Sequence, residues 1–413
     1  MTHATSALER KGMRRALAFA AVWAVFVISW QWNGLHYDLN ALYMAGHFLA
    51  QDRPDLVYAV ALDTFPLTSH PDWLALSEPW DCGAFCAYPY VYPPIWAVMT
   101  APLSGVLDMR GFSNAALLLQ IPLFALCPLL AWRLWRPRIG PVSWTLRCLL
   151  LATVCTMGTT SLVNNQPQLL VTFLLLAGFE RAAHGRPWLG GAALGLAAAI
   201  KIYPVLFGLI WLQEGNWRAL AGATLAGGGM LALNMALVDP ALNAAFLDQA
   251  RTLSAGVFPA AWNYSLASLL GWLDPASADP WTAVTDPHPA ARIGGPLLLV
   301  AGLVLMGWRA RTAGPIWRRR VLLPALAALA VLASPIGWAY YLFIPLFAVQ
   351  LLPEHYGRAG ALLLLGLTAL VFLPFYILFG VEIGPDATLL GVAFTAGTFL
   401  ALALAPARRL PDP

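Results

Sequence analysis

Six short polar motifs stand at the ends of long apolar runs, where ionisable residues are rare. One motif carries an aspartate, Asp38, and another a lysine, Lys201, while the others supply amides, hydroxyls and indole rings. An aspartate can take a proton as a general base, and a lysine can stabilise negative charge that develops on a phosphate. The motifs are Trp32–Tyr43, Tyr92–Pro94, Asn164–Gln168, Lys201–Pro204, Trp262–Leu266 and Ser334–Tyr341.

Each motif also has an ordinary structural explanation. Asp38 fits a solvated acid or a helix N-cap, and Lys201 fits a side chain that reaches from a helix end to the membrane surface. The Asn164–Gln168 segment fits a simple turn, and Trp and Tyr are common at membrane interfaces whatever the function. Asn263 begins a weak Asn-Tyr-Ser glycosylation match. Only the order of the motifs and their shared side of the membrane favour chemistry.

The composition shows what kind of element must carry these motifs. Of the 413 residues, 60% are apolar and 11% are charged, whereas soluble domains have roughly 45–50% and about 25%. A water-soluble enzyme, a disordered chain and a coiled coil are therefore excluded. The formal net charge of +4 does not indicate nucleic acid, because the basic residues are spread between apolar runs.

Twelve apolar runs predict an all-α fold class, a polytopic membrane bundle of about twelve transmembrane helices. Several runs are shorter than the ~20 residues that an upright helix needs. Arg10–Arg15 precede the first run and no small-residue cleavage site follows it, so we expect an uncleaved first helix. The runs lie near residues 16–32, 112–134, 145–163, 167–183, 188–200, 203–213, 218–238, 291–309, 320–335, 339–352, 359–379 and 388–405.

The proline-rich run at residues 93–108 decides the predicted topology. We interpret it as a half-helix at the outer face, because this choice puts 19 of the 24 basic residues inside. The competing count makes this run a full span and fuses residues 188–213 into one kinked helix. It moves the Arg133–Arg147 cluster outside and leaves Lys201 in the middle of the membrane, which costs roughly 3 kcal/mol or more.

The favoured topology leaves two outer regions, residues 33–111 and 239–290, within one predicted domain that covers residues 1–413. We expect juxtamembrane helices and half-helices in the first region, and short helices and Pro-rich loops in the second. Cys82 and Cys86 lie in the first region, where a disulfide is permitted, and their spacing leaves a bridge open. The three other cysteines, Cys127, Cys148 and Cys155, are predicted to be small core residues.

The order of the motifs resembles glycosyltransferase family 87. Its pattern is an Asp after the first helix, Tyr-Pro-Pro, a Gln-containing turn, Lys-x-x-Pro, Asn-x-Ser-Leu and Ser-Pro-x-x-Trp, and the likeness covers about residues 15–405. The family's members are integral-membrane enzymes of the GT-C fold, similar to the mannosyltransferases of phosphatidylinositol-mannoside synthesis. The resemblance implies a polyprenyl-phosphate sugar donor, a lipid or glycan acceptor, and transfer at the outer, periplasmic face of the cell membrane.

The resemblance also implies roles for individual residues. The family's catalytic acid matches Asp38, and its phosphate-side lysine matches Lys201. The Gly before the family's Gln is Asn165 here, and the His two residues after the Trp of Ser-Pro-x-x-Trp is Tyr340. Tyr donates a hydrogen bond but offers no cation. The predicted site is Asp38 as catalyst, Lys201 and Tyr340 at the donor phosphate, and His36, Tyr92, Asn165, Gln166, Trp262, Asn263 and Trp338 for substrate positioning.

The predicted reaction inverts the configuration at the anomeric carbon of the sugar, with Asp38 as general base and Lys201 at the leaving phosphate. His36 or His47 is an alternative source of the charge that Tyr340 lacks. No Asp-x-Asp pair occurs in the outer regions, so we expect no required metal and no other cofactor. The sequence leaves the sugar open, with mannose as the first expectation, and also the acceptor, the linkage and the oligomeric state.

Two other classes of protein fit parts of the pattern. A transporter or flippase of a lipid-linked sugar or small anion would explain twelve spans and short broken helices around Lys201. It explains less well the outer region with Asp38 and the lack of repeat symmetry. A sugar-polymer ligase or polymerase with a diphosphate-linked donor would need more outer cations than the five available.

Overall fold

The computed structural model describes residues 7–60, 70–80, 86, 88–273, 289–381 and 384–406. Within these residues the chain forms α-helices joined by turns and short 3₁₀ segments, and β-pairing is limited to two isolated bridges. Proline occupies the first turn of many helices, where its missing N–H has no helical partner to lose. The all-α fold class is confirmed for the described part of the chain.

The helices are numbered in chain order. The first eight are α1 (Ala7–Gln31), α2 (Tyr37–Ala50), α3 (Pro71–Ser77), α4 (Pro94–Ser104), α5 (Met109–Ala125), α6 (Cys127–Trp135), α7 (Pro141–Val154) and α8 (Thr156–Val163). The next eight are α9 (Gln168–Ala183), α10 (Pro187–Ile200), α11 (Gly208–Glu214), α12 (Trp217–Leu237), α13 (Pro240–Ala255), α14 (Leu266–Gly271), α15 (Pro289–Thr312) and α16 (Pro315–Ala333). The last five are α17 (Phe343–Ala348), α18 (Leu352–Tyr356), α19 (Arg358–Ala369), α20 (Leu373–Phe379) and α21 (Pro385–Ala403). The 3₁₀ segments are Pro54–Leu56, Glu78–Trp80, Tyr203–Phe207, Ala339–Leu342 and Val349–Leu351.

Five helical segments of the described chain are long and apolar enough to cross a membrane, and a bent pair brings the number to six. The five are α1, the continuous α5–α6 segment, α12, α15 and α21, and the pair is α8 with α9. These segments make the chain a membrane protein. Twelve spans are not confirmed, because several of the predicted runs are divided into shorter helices.

The run at residues 145–163 shows why such runs divide. It breaks at Cys155, whose extended backbone forms an isolated bridge with Phe372. The backbone N–H of Thr156 donates to the carbonyl of Val371, so the break stays hydrogen-bonded inside the bundle. The run at residues 339–352 is divided in a similar way, into a 3₁₀ turn, α17 and a second 3₁₀ turn.

The first of the two predicted outer regions contains α2, α3 and α4, around a small apolar core of its own. That core includes Tyr43, Phe48, Trp73 and Ile95. The predicted half-helix is α4, and its 11 residues span about 16 Å, too short for a ~30 Å hydrocarbon layer. Cys86 is disulfide-bonded, Cys82 lies outside the described residues, and Cys127, Cys148 and Cys155 are free and buried as predicted.

Glycines let α10 pack directly on the backbones of α9 and α12. A Cβ atom added to Gly191 would lie 2.0 Å from the carbonyl oxygen of Ala219, and one added to Gly195 would lie 2.5 Å from that of Ala223. A Cβ added to Gly190, on the side facing α9, would lie 2.5 Å from the carbonyl oxygen of Gly178. Small residues allow such close approach between membrane helices. This packing fixes the position of Lys201, which follows the last residue of α10.

Arginines and glutamates cluster at one end of the bundle, which we call the arginine end. Arg320 pairs with Glu354 at 2.8 Å, and Arg133 pairs with Glu180 at 2.7 Å. Lys201 belongs to the other end, because the 14 residues of α10 separate it from the arginine end by about 21 Å.

Candidate functional site

Asp38 lies in the first turn of α2, immediately after the chain leaves α1. The N-cap residue is His36, so the alternative interpretation of Asp38 as an N-cap is wrong. A carboxylate is favoured in this first turn, where backbone N–H groups have no helical acceptor. The His36 ring holds the turn in place through a 2.9 Å hydrogen bond between its Nδ1 atom and the carbonyl oxygen of Val163.

The second contributor is the turn between α8 and α9, where the chain bends by 117°. Asn165 has a φ of 46°, a left-handed conformation that suits Gly and that Asn tolerates. Its side chain donates to the carbonyl oxygen of Ser113 at 2.9 Å and accepts from Gln120 at 3.1 Å. Asn165 is therefore a buried anchor of the turn, and its conformation explains why Asn can stand where the resemblance expects Gly.

The anchored turn presents Gln166 to both charged groups. The Lys201 ammonium donates to the Gln166 Oε1 atom at 3.2 Å, and the Tyr92 hydroxyl donates to the same oxygen at 3.3 Å. The Gln166 side chain also lies beside the Asp38 carboxyl group, where it favours the ionised form. Three separate segments of the chain therefore meet at one amide.

Lys201 is surrounded by aromatic faces. Its Nζ atom lies 4.8 Å from the ring centres of Tyr340 and Tyr341 and 5.7 Å from that of Tyr92. These distances are within the range of cation–π attraction. The Lys201 ammonium and the Asp38 carboxylate do not form a direct ion pair. Both residues are half-buried. We call Asp38, Gln166, Lys201 and these three tyrosines the tyrosine-lined cluster.

Burial and attraction act against each other on the two charges. Burial raises the pKa of Asp38, while the nearby Lys201 ammonium and the Gln166 hydrogen bond oppose that rise. Burial lowers the pKa of Lys201, and the Asp38 carboxylate opposes that fall. The carboxyl group is therefore a stronger base than an ordinary aspartate, as general-base catalysis near neutral pH requires.

Two other predicted site residues, Trp262 and Asn263, contact the segment that carries Tyr340. All four hydrogen bonds of the buried Asn263 amide go to backbone groups, among them the N–H of Gly337 at 2.8 Å and the carbonyl oxygen of Phe258 at 2.9 Å. Trp262 stacks on Tyr376, and its carbonyl oxygen accepts the N–H of Ala339. These contacts support the segment that carries Tyr340 and leave the Asn263 amide no free group for a sugar.

Trp338, His36 and His47 are the remaining candidates from the sequence. Trp338 is half-buried and stacks on Tyr340 with ring centres 6.2 Å apart. His36 is fully buried, and this burial lowers its pKa. His47 follows Asp38 by nine residues of α2, about 13 Å along the helix, and it contacts Gln51 instead.

Sequence reasoning missed Tyr341 and Tyr203. Tyr341 stacks on Tyr203 with ring centres 4.9 Å apart, and the Tyr203 hydroxyl accepts a hydrogen bond from Gln168 at 2.6 Å. A signal was present in the adjacent pair Tyr340–Tyr341, but only the first matched the family's spacing. Among the residues that the structure describes, no three His, Cys, Asp or Glu side chains are grouped so as to hold a metal ion.

The fold and the cluster together define a membrane protein with a polar site at the helix ends. The model of glycosyltransferase family 87 matches residues 90–335, more than half of the sequence, and the chain belongs to this family. The match includes Tyr92, Gln166 and Lys201, whereas Asp38 precedes it. No curated protein matches the chain. The predicted family is thereby confirmed, and the protein is a glycosyltransferase. Trp338 and Tyr340 follow the matched range, so the roles of Asp38, Trp338 and Tyr340 stay predictions.

Proposed function

We propose that the protein transfers a hexose, in the first instance mannose, from a polyprenyl-phosphate sugar to a lipid or glycan acceptor at the outer face of the cell membrane. The observation that supports this most strongly is the meeting of Asp38 and Lys201 at Gln166. A base for an acceptor hydroxyl and a cation for a leaving phosphate must lie on either side of one sugar ring. The absence of a direct ion pair between Asp38 and Lys201 leaves the two charges available for separate partners.

In the proposed step the Asp38 carboxylate removes the proton from the acceptor hydroxyl. The acceptor oxygen forms a bond to the anomeric carbon of the sugar as the bond to the phosphate oxygen breaks. That electron pair stays on the phosphate, which leaves as polyprenyl phosphate, and the anomeric carbon inverts. The Lys201 ammonium stabilises the charge that grows on the leaving oxygen. The proton on Asp38 then passes to water.

The three tyrosines stabilise the Lys201 ammonium while no donor is bound. Aromatic faces attract a cation without giving it a competing anion, so Lys201 stays directed into the cluster. Tyr340 then contributes a ring face and a hydroxyl donor where the family often has His. Lys201 therefore carries more of the charge neutralisation than it would beside a second cation.

An apolar groove between α1, α8 and α20 fits a donor with a long hydrocarbon chain. The groove has a volume of about 310 Å³ and is lined by Phe26 and Trp30 of α1 and by Leu373 and Ile377 of α20. Thr159 of α8 also lines it, one helical turn before Val163, the partner of His36. An isoprenoid chain in this groove would remain in the bilayer while its sugar phosphate reached Lys201.

Asp38→Asn tests the proposal most directly, because the amide keeps the shape of the side chain and removes the base. We expect transfer from polyprenyl-phosphate mannose by the purified protein to fall roughly 100- to 10,000-fold. The matched control is Asp52→Asn. Asp52 is exposed, and its φ of 58° suits Asn as well as Asp, so the control should transfer at the wild-type rate.

Transfer by Asp38→Asn at the wild-type rate would show that Asp38 is not the base. A panel of polyprenyl-phosphate sugars and nucleotide sugars separates this result from a wrong choice of donor. If the wild-type protein transfers sugar only from a nucleotide sugar, the lipid-donor proposal fails even when Asp38 proves essential.

A further inference from the structure

A second cavity lies at the arginine end of the bundle, and the proposed reaction does not use it. Its volume is about 320 Å³. Phe179 of α9 and Trp211 of α11 form an apolar floor, with ring centres 4.7 Å apart. Glu214, Arg318 and Arg319 contribute the charged groups of its lining. The cavity thus combines an apolar base with a charged rim, as a site for an amphiphile would.

The two arginines in this cavity differ from other arginines nearby. Arg133 pairs with the buried Glu180, and Arg320 pairs with Glu354, whose side chain is 10% exposed. Arg318 donates instead to the backbone carbonyl of Ala313 at 3.2 Å, and no carboxylate of the described residues forms an ion pair with Arg318 or Arg319. Their guanidinium groups therefore retain donors for a ligand, and guanidinium matches the geometry of phosphate oxygens.

The charge in the cavity favours an anion even when Glu214 is counted. Burial raises the pKa of Glu214, and the two arginines oppose that rise. Two guanidinium groups against one carboxylate leave a net positive charge. A cationic or neutral ligand would leave this charge uncompensated.

Exposed tryptophans place this end of the bundle at the membrane surface. Trp188, Trp217 and Trp308 are 50%, 65% and 60% exposed, and each lies at the end of its helix that is nearer the arginine end. Tryptophan concentrates at the level of lipid head groups. Asn216, which precedes Trp217, lines the cavity. The cavity therefore lies where a lipid head group can reach it from the bilayer.

We propose that this cavity binds the phosphate head group of an anionic phospholipid. Arg318 and Arg319 would hold the phosphate, and the floor of Phe179 and Trp211 would contact the glycerol and the first methylenes. Basic pockets between membrane helices bind anionic head groups in this way. The site is independent of the tyrosine-lined cluster and does not depend on the identity of the sugar donor.

Native mass spectrometry of the full-length protein, released from phosphatidylcholine nanodiscs doped with phosphatidylglycerol, tests the proposal. We expect one retained phosphatidylglycerol per chain, bound roughly 25-fold more weakly in Arg318→Gln/Arg319→Gln, since each arginine near an anionic head group contributes about fivefold. The control, Arg15→Gln/Arg358→Gln, removes two exposed charges outside the cavity and should bind as the wild type does.

A second variant keeps both charges and fills the cavity. Ala183 lines the cavity and is half-buried, so Ala183→Leu should also lose the retained lipid. This variant covers the case in which the double arginine variant does not fold.

Equal retention of phosphatidylglycerol by the wild type, the double arginine variant and Ala183→Leu would overturn the proposal. Displacement of the lipid by millimolar glycerol phosphate or inorganic phosphate would overturn it differently, because it would identify a site for a water-soluble phosphate. Loss of the lipid in both cavity variants, with neither soluble phosphate competing, supports a lipid site.

Discussion

The two ends of the bundle use buried charge in opposite ways. At the arginine end, Arg320 has a glutamate at 2.8 Å and the carbonyl oxygen of Trp135 at 2.6 Å. At the other end, Lys201 has one amide oxygen and three aromatic faces. A charge with strong acceptors on several sides serves structure, since little of its hydrogen-bonding capacity remains for a ligand. A charge held by weak partners keeps that capacity, and this difference separates the candidate site from the scaffold.

The largest expected effect comes from breaking the ion pair between Arg320 and Glu354. Arg320→Met leaves Glu354 without its cation. The side chains of this pair are only 8% and 10% exposed, and removing one partner of a buried pair costs about 3–5 kcal/mol. We expect unfolding in detergent at a lower denaturant concentration, while transfer per folded molecule stays unchanged. Arg358→Met is the control, because this arginine is exposed and should change stability by no more than about 0.5 kcal/mol. Equal stability of the two variants would show that the arginine end is not a structural clamp.

Removing the charge of Lys201 should have the opposite effect, a large loss of turnover with a smaller change in stability. Lys201→Met keeps the length of the side chain and removes the charge, so turnover should fall roughly 100- to 1,000-fold, as for the loss of one preorganised electrostatic group. Stability should fall less than in Arg320→Met, because the Asp38 carboxylate attracts Lys201 without forming a direct ion pair with it. Lys11→Met, at the only other lysine in the sequence, should transfer normally. Unchanged kinetics of Lys201→Met with every donor tested would remove Lys201 from the mechanism.

The aromatic surroundings of Lys201 permit a finer test. Tyr341→Leu removes one ring face and should lower turnover by about 2- to 30-fold, the equivalent of roughly 0.5–2 kcal/mol of cation–π attraction. Tyr341→Phe keeps the ring and should transfer nearly as well as the wild type. Equal loss in both variants would show that the hydroxyl group, rather than the ring, is what matters.

The smallest effect is a change in the pH profile. Burial raises the pKa of Asp38, so its base form is lost at a higher pH than in an ordinary aspartate, and turnover should fall as pH drops through that raised pKa. Gln166→Met removes a hydrogen bond that lowers this pKa, so the acidic limb should move to higher pH. Gln168→Met is the control, because Gln168 contacts Tyr203 instead. Identical acidic limbs in all three proteins would contradict the assignment of Asp38.

Ionisable residues were the most predictable part of the site. Only 11% of the chain is charged, so an aspartate and a lysine at helix ends are conspicuous against an apolar sequence. Tyr341 was not predictable in this way, because tyrosine is expected at membrane interfaces regardless of function. Asn263 matched its motif, yet its hydrogen bonds depend on a pairing with the distant segment around Gly337, which no local pattern reveals.

The fold was predictable in class but not in its number of spans. Hydrophobic runs show that the chain is helical and lies in a membrane, and the two prolines at Pro93–Pro94 indicated a short helix. The breaks depend on tertiary contacts, such as the bridge between Cys155 and Phe372. A run of apolar residues does not show where a distant segment will supply the hydrogen bonds that permit a break.

The glycine contacts of α10 bear on how enzymes of this kind diversify. The main chains of α9, α10 and α12 approach each other at Gly190, Gly191 and Gly195, so a larger residue at any of these positions would push the helices apart and move Lys201. We therefore expect tolerated changes in the segments that surround the ammonium, such as the tyrosine pair at Tyr340–Tyr341. New sugar preferences should accordingly arise by substitution of those neighbours, while α10 and Lys201 stay unchanged.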